Sequence, residues 1–203
     1  MVLCGGSATD LRQQSPQFAA DFNIVDSFDT HAKIPAHFAA VNKAASEGGH
    51  VALMRHAIAP GVGDPAGFRL GDCSTQRNLS AQGRAQARAI GARFRDHGIE
   101  RAAVHSSRWC RALETAELLA LGPVSPFPGL DSFFTDRSAE GAQLGAIRKL
   151  AASHPVDAPP LVLVTHQVNI TALSGVYPAS GEIVVMRVAG DTLIVAGRIR
   201  TGD

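Results

Sequence analysis

Two short apolar runs stand out along the chain, and each ends abruptly in polar residues. Val51–Met54 and Leu161–Val164 have the length and continuous hydrophobicity of strands that are buried on both faces of a parallel sheet. Ala102–Val104 is a third, shorter run of the same type. These runs predict the central strands of an α/β fold.

Amphipathic segments alternate with these strands and predict the helices that cover the sheet. The predicted helices are Pro35–Glu47, a segment capped by Ser80 and ended by Gly98, Trp109–Leu121, Ser138–Ser153 and a helix starting near Ile170. Glu182–Val188 and Thr192–Arg198 predict an antiparallel hairpin, because Gly190-Asp191 is typical of a two-residue hairpin turn. We therefore expect an α/β three-layer sandwich with a mostly parallel central sheet, helices on both faces and a C-terminal antiparallel hairpin.

The length and charge of the chain limit its organisation and its partners. Its 203 residues suit one sizeable domain, and we predict an irregular leader over residues 1–30 followed by a domain over residues 31–203. The formal net charge of +1 gives no electrostatic reason to expect nucleic acid or an anionic membrane surface as a partner. No apolar run approaches the roughly 20 residues that a transmembrane helix needs.

The compartment and the state of the cysteines are left open by the sequence. Residues 1–7 lack the basic segment and the long apolar core of an intact signal peptide. The protein is therefore expected to be cytoplasmic, or periplasmic or exported if the true N-terminus carries a signal sequence. The three cysteines are too few for a disulfide framework and are not spaced as a zinc site, so a Cys73–Cys110 disulfide and two unpaired thiols are both open. The oligomeric state is not indicated.

Polar residues follow the predicted strands at their carboxyl ends. Arg55 and His56 follow the first strand, His166 follows the other long one, and the short strand leads through a serine-rich turn to Arg111. Ligands of open α/β sheets bind beyond the carboxyl ends of the strands, so we expect these side chains to converge on one cleft. Arginine binds phosphoryl oxygens bidentately, and neutral imidazole is a competent nucleophile, so this set suits phosphoryl transfer.

Two loops can add further groups to this cleft. Ala59–Asn78 is rich in glycine and proline and is long for a compact domain, which is typical of a functional loop. Its polar residues include Arg77, which we predict to bind the substrate. Gly129–Arg137 carries two carboxylates, Asp131 and Asp136.

Four segments, in order along the chain, resemble the histidine phosphatase superfamily, which includes the phosphoglycerate mutases. Arg55-His56-Ala57 resembles its Arg-His-Gly signature, and residues 78–87 resemble its Leu-Thr-x-x-Gly-x-x-Gln-Ala helix start. Residues 107–116 resemble its Ser-x-x-x-Arg-Ala-x-x-Thr-Ala segment, and residues 161–166 resemble the strand that brings its second histidine. The resemblance implies that His56 accepts the phosphoryl group, that Arg55 and Arg111 bind its oxygens, and that His166 stabilises charge in the transition state.

The activity implied by this resemblance is hydrolysis of a small phosphorylated substrate through a covalent phosphohistidine, without a cofactor or a metal ion. Three departures from the family pattern accompany it. Ala57 replaces a glycine, Thr165 and Gln167 flank the second histidine in place of the usual small residues, and Ser132 stands where many members have a glutamate. We therefore predict Asp136 as the general acid, with Asp131 as the alternative.

Three other functions compete with the phosphatase interpretation. The altered residues around the second histidine and the missing glutamate suit a non-catalytic protein that binds phosphorylated ligands. A phosphomutase is a further alternative and requires the phosphoenzyme to outlive substrate exchange. A metallohydrolase is disfavoured, because no His or Asp pair has a recognised metal-ligand spacing. The physiological substrate is not indicated.

Overall fold

The computed structural model describes residues 49–201 together with two short strands before them. These are β1 (Val2–Leu3) and β2 (Val25–Asp26), which pair in parallel within the segment predicted to be an irregular leader. The chain divides into two compact units, Met1–His50 and Val51–Asp203. The predicted domain boundary after residue 30 and the predicted helix Pro35–Glu47 lie outside the described residues and stay predictions.

A six-stranded sheet forms the centre of the larger unit. Its strands are β3 (His50–Arg55), β4 (Ala103–Ser106), β5 (Val124–Pro126), β6 (Leu161–Thr165), β7 (Ile183–Ala189) and β8 (Thr192–Ile199). They lie in the order β5-β4-β6-β3-β7-β8. The pairs β4–β5, β4–β6 and β3–β6 are parallel, and β7 and β8 form the predicted antiparallel hairpin. Gly190 turns this hairpin with a φ of +58°, which glycine adopts without strain.

Four α-helices lie between the strands of residues 49–201. They are α1 (Ala81–Asp96), α2 (Cys110–Leu119), α3 (Glu140–Ser153) and α4 (Gln167–Ser174). Ser80 caps α1 as predicted, since its hydroxyl accepts the Gly83 N–H at 3.0 Å. The start of α4 precedes the prediction by three residues, because its first turn carries polar and β-branched residues that the apolar period does not mark.

Alternate strand residues point to opposite faces, and each face is covered by helices. One apolar cluster joins Met54, Val162 and Val164 to Ile90 of α1 and to three residues of α2, which are Ala112, Ala116 and Leu119. The other joins Leu53, Leu161 and Leu163 to Ile147 of α3 and Ile170 of α4. The predicted α/β sandwich with a mostly parallel sheet is confirmed. None of the helices in the described part of the chain is long and apolar enough to span a membrane.

The first turn of α1 closely approaches the chain that follows β3. A Cβ added to Gly83 would lie 2.1 Å from the main-chain oxygen of Ile58, so only glycine fits there. Ile58 also accepts the Ser80 N–H at 3.0 Å. The start of α1 therefore fixes the backbone just beyond His56.

Candidate active site

A cavity of about 170 Å³ lies beyond the carboxyl ends of β3 and β6. It is lined by five of the six residues predicted from the sequence to form the site, which are Arg55, His56, Arg77, Arg111 and His166. The sixth, Asp136, does not line it. The cavity also contains one carboxylate that the sequence did not point to, that of Asp64.

His56 is held at the end of the central strand with a defined tautomer. Its main-chain N–H donates to the carbonyl of Thr165 at 3.0 Å, and its side chain is 3% exposed. The ring Nδ1 lies 2.8 Å from the carbonyl oxygen of Ala57, and since a carbonyl only accepts, Nδ1 carries the proton. The Nε2 atom therefore has the lone pair, and it accepts the Nε–H of Arg111 at 3.3 Å.

The surroundings of His56 keep its imidazole neutral. Burial lowers the pKa of His56 to about 3, against a smaller opposing effect of the hydrogen bond to Ala57. The positive charges of Arg111, Arg55 and Arg77 lower the pKa further. At neutral pH the ring is therefore a nucleophile with an unprotonated nitrogen.

His166 lies beside His56, although the two are far apart in the sequence. Their ring centroids are 5.5 Å apart and the ring planes meet at 66°. The Nε2 atom of His166 is 2.8 Å from the hydroxyl of Ser107, which in turn donates to Asp131 at 3.3 Å. Because the one hydroxyl proton goes to Asp131, Nε2 of His166 is the donor to Ser107. Burial lowers the pKa of His166 well below its ordinary value. The charges of His56 and of the cavity arginines lower this pKa further.

The two carboxylates considered from the sequence as general acids are both engaged elsewhere. Asp131 is buried, accepts the Arg108 main-chain N–H at 2.8 Å and forms a bidentate ion pair with the Arg108 guanidinium. Asp136 is exposed and caps the 3₁₀ turn Arg137–Ala139, where it accepts the N–H and hydroxyl of Ser138 at 3.0 and 2.6 Å. These bonds lower the pKa of Asp136. Its predicted catalytic role stays a prediction, and one that this geometry does not support.

Asp64 is the functional candidate that the sequence analysis missed. Its carboxylate accepts Nη1–H and Nη2–H of Arg111 at 2.6 and 3.2 Å, and the indole N–H of Trp109 at 3.0 Å. It also accepts the main-chain N–H of Arg77 at 3.3 Å. No motif or period marks Asp64, and the unusual length of its loop was the only signal in the sequence.

The loop carrying Asp64 is fixed to the first turn of α2. Cys73 and Cys110 form a disulfide, which settles the pairing that the sequence left open. Gln76 accepts the N–H of Cys110 at 3.0 Å. Within the loop, the Arg77 guanidinium donates to the carbonyls of Gly63, at 2.7 Å, and Ala59. Long-range cross-links therefore order this loop, which contains the short 3₁₀ helix Cys73–Thr75.

Two further features of the cavity suit an anion. The Nε of Arg55 is buried and has no hydrogen-bond partner among the described residues, whereas Nη1 donates to the carbonyl of Pro178 at 2.9 Å. Gln167 and Val168, the first residues of α4, line the cavity, and a helix N-terminus favours negative charge. Among the described residues that line the cavity, three guanidinium groups face one carboxylate, which gives this lining a net positive charge.

The alanine that replaces the family glycine is accommodated without strain. Ala57 is buried in a small apolar cluster with Ala59, Leu79 and Ala87. Its φ is negative, since Ala120 alone among the described non-glycine residues has a positive φ. The backbone beside His56 therefore does not require glycine here.

A family model matches the part of the chain that carries three of the four resembling segments. Residues 51–135, which include Arg55, His56 and Arg111, match the sequence model of the histidine phosphatase superfamily, branch 1. The match covers 85 of the 203 residues, and this part of the chain is similar to that superfamily.

Solved structures of phosphatases share the fold of this chain. The protein histidine phosphatase SixA complexed with tungstate has a TM-score of 0.53 and 16% identity, with 75% of this chain and 97% of that chain covered. Phosphoserine phosphatase from Entamoeba histolytica in complex with 3-phosphoglyceric acid has a TM-score of 0.52 and 12% identity, with 74% and 96% covered. At these identities the likeness shows the fold.

A different group of proteins matches over a short segment only. Meso-diaminopimelate D-dehydrogenase from Ureibacillus thermosphaericus is 58% identical over 62 residues, which are 30% of this chain and 19% of that enzyme. The corresponding enzyme from Corynebacterium glutamicum is 44% identical over 62 residues. The match thus spans about a fifth of each dehydrogenase (19%).

Among the residues that the structure describes, no group of three or more His, Cys, Asp or Glu side chains is placed to hold a metal ion.

The two buried histidines predict that the protein loses stability in mild acid. Unfolded histidine takes up a proton near pH 6.5, whereas folded His56 does so near pH 3, so protons favour the unfolded state between these values. We expect His56 to cost about 2 kcal/mol of unfolding free energy between pH 7.5 and 5, and His166 to add a loss of the same sign. Urea unfolding at the two pH values measures this loss.

The variant His56→Asn is the control for this pH dependence. Its loss on acidification should be smaller than that of the natural sequence by the contribution of His56. The carboxylates with lowered pKa values, such as Asp64, lose their contribution only at lower pH. Equal unfolding free energies of the natural sequence at pH 7.5 and 5 would contradict the buried neutral state of both rings.

Proposed function

We propose that this chain is a phosphomonoesterase that works through a phosphohistidine on His56. The observation that carries the proposal is the tautomer of His56. Nδ1–H is held by the carbonyl of Ala57, and the lone pair on Nε2 points to the Arg111 guanidinium in a positively charged cavity. A neutral nucleophile beside bidentate cations is what attack on a phosphorus atom requires.

The guanidinium groups of the cavity bind the phosphoryl oxygens. Arg111 offers its planar fork, Arg55 offers its unpartnered Nε, and Arg77 adds charge at the loop side of the cavity. The N-terminus of α4 faces the same space. Little further chemistry is needed, because phosphoryl transfer depends mainly on positioning and charge stabilisation.

His166 stabilises the charge that develops on these oxygens. Burial and the neighbouring positive charges lower the pKa of His166 and keep its ring neutral. A bound phosphate raises that pKa, since a nearby opposite charge favours the charged imidazolium. Nε2 of the ring donates to Ser107, which donates to Asp131, so the carboxylate at the end of this chain of hydrogen bonds favours the imidazolium.

The reaction takes two steps and uses no cofactor. The Nε2 lone pair attacks phosphorus, forms a P–N bond and expels the leaving oxygen with its electron pair and a proton from a carboxyl group. Water then attacks phosphorus and gives a proton to the carboxylate left by the first step, and the P–N electron pair returns to Nε2. The products are an alcohol and inorganic phosphate, so the substrate is a small phosphorylated compound.

Turnover of 4-nitrophenyl phosphate by the purified chain tests this function. The good leaving group needs little acid assistance, so we expect multiple turnovers that persist after exhaustive chelation, since every step uses side chains of this chain. Binding of phosphate without turnover would instead support the non-catalytic alternative. Retention of labelled phosphate on the protein until a second acceptor arrives would support a mutase.

A further inference from the structure

The carboxylate of Asp64 occupies the position on Arg111 that an incoming phosphoryl group needs. Its two oxygens lie 2.6 and 3.2 Å from Nη1 and Nη2 of Arg111, the fork that binds carboxylates and phosphoryl groups alike. The Nε of the same guanidinium faces His56. Asp64 therefore occupies the Nη atoms of Arg111, where a phosphoryl group would bind, while the Nε atom contacts the nucleophile.

Asp64 is also the carboxylate best placed to reach a leaving group. Within the described residues it is the acidic side chain that lines the cavity. Asp131 is engaged by Arg108 and Ser107, and Asp136 caps an exposed turn. In an in-line displacement the leaving oxygen departs on the side of phosphorus opposite the nucleophile. Asp64 contacts the two Nη atoms of Arg111, whereas His56 contacts its Nε.

The loop segment around Asp64 is exposed and rich in glycine. Gly61, Gly63 and Gly67 have φ values of +92°, +68° and +82°, which other residues rarely adopt. Val62, between two of them, is 89% exposed and packs little against the rest of the chain. The disulfide and Gln76 anchor the far end of the loop, and Arg77 holds the Gly63 carbonyl, so we expect the release of Asp64 to be a rotation of its side chain.

We propose that the substrate phosphoryl group displaces Asp64 from Arg111, and that the displaced Asp64 carboxyl is the general acid that protonates the leaving oxygen. This inference rests on the phosphatase function proposed above. In this proposal the catalytic proton comes from Asp64, in the loop that follows the nucleophile strand, and not from Asp136.

Displacement of Asp64 by the phosphoryl group raises the pKa of its carboxyl and so makes it a proton donor. In the empty cavity the hydrogen bonds and charge of Arg111, with the Trp109 indole, hold the pKa of Asp64 below its ordinary value despite burial. A phosphate dianion that takes the fork removes the stabilising cation and adds a like charge, and both changes raise the pKa. The other ionisable groups facing the cavity are His56, His166, Arg55 and Arg77, and the last two favour the carboxylate until the dianion neutralises them.

The step is balanced in atoms and electrons. The monoanionic ester or water provides the proton that the displaced Asp64 takes up. The Nε2–P bond forms, the P–O bond breaks, and the leaving oxygen takes the Asp64 proton. In the second step the Asp64 carboxylate removes a proton from the attacking water, the P–N bond breaks, and the carboxyl is ready for the next cycle.

Asp64→Asn tests the acid role through its dependence on the leaving group. The variant keeps the size of the side chain and an oxygen that accepts from Trp109, but it has no transferable proton. We expect kcat on glycerol phosphate to fall by about 100-fold or more, because an alkoxide leaves poorly without a proton, and kcat on 4-nitrophenyl phosphate to fall by less than about 10-fold. Loss of the competing carboxylate should also tighten binding of inorganic phosphate several-fold, as measured by calorimetry.

Two further variants complete the experiment. Asp96→Asn, at the exposed end of α1, is the matched control and should leave both substrates unaffected. Asp136→Asn tests the rival acid, and a loss confined to glycerol phosphate in that variant would overturn the Asp64 assignment. The assignment would also be overturned if Asp64→Asn lost kcat equally on both esters, or if it bound inorganic phosphate as the natural sequence does.

Failure of this inference is distinguishable from failure of the phosphatase function. If the natural sequence turns over no phosphate ester, the function itself is wrong. If it turns over both esters and Asp64→Asn keeps the same ratio of rates between them, only the acid assignment is wrong.

Discussion

Replacing His56 by alanine lowers turnover of 4-nitrophenyl phosphate by at least about 10⁴-fold, the scale expected when a covalent nucleophile is removed. The alanine variant leaves only water to attack the ester, whereas the guanidinium groups position the ester against Nε2. Initial rates at saturating substrate measure the effect. Phosphate binding should persist, because Arg55, Arg77 and Arg111 are intact.

The matched control for His56 is His97→Ala, which removes an exposed imidazole at the end of α1. That variant should keep the rate of the natural sequence. The His56→Ala protein should still unfold cooperatively, since deleting a buried titratable ring removes a desolvation cost together with its contacts. A folded His56→Ala protein with a rate within about 100-fold of the natural sequence would contradict the nucleophile assignment.

Arg111→Lys has the second largest expected effect. Lysine keeps the positive charge, which prevents the partly buried Asp64 from being left without a counterion, but it lacks the planar fork that binds two oxygens. We expect kcat/KM to fall by about 10² to 10³-fold, the scale for losing one charge-stabilising donor set in a buried site. Steady-state kinetics measure the loss, and urea unfolding verifies the fold.

Arg93→Lys on the exposed side of α1 is the control for Arg111→Lys, and it should be neutral. Compared with the natural sequence, Arg111→Lys should also bind dianionic inhibitors with less preference over monoanionic ones, because the guanidinium fork matches two anionic oxygens. Full activity in a folded Arg111→Lys protein would show that the phosphoryl group binds elsewhere.

The two histidines could be predicted to meet because of strand geometry. Both follow apolar runs that are too uniformly hydrophobic to be edge strands, and parallel strands end at a common edge. The structure pairs Arg55 with Thr165 in register, which places His56 and His166 side by side. Short-range sequence patterns therefore determine this half of the cavity.

The carboxylates could not be predicted in the same way, because their positions depend on long-range contacts. Asp64 reaches Arg111 only because residues 59–78 are tied to α2 through Cys73, Gln76 and Arg77. None of these contacts leaves a periodic pattern in the sequence.

The sequence around Asp136 is typical of a structural role and not of a catalytic one. Asp136-Arg137-Ser138 before a helix is typical of a side chain that caps a turn, and the structure shows that cap. The start of α4 was placed too late for a related reason, since polar residues of the first turn of a helix do not show the apolar period.

The central claim is that the phosphoryl group passes through His56, and trapping the phosphoenzyme tests it most directly. The protein is mixed with labelled substrate, quenched within the first turnover in alkaline denaturant, digested and examined by mass spectrometry. The account predicts a base-stable, acid-labile phosphate on the peptide that contains His56, and none in His56→Ala. Phosphate on a serine or carboxylate, or rapid turnover with no labelled residue at any quench time, would contradict it.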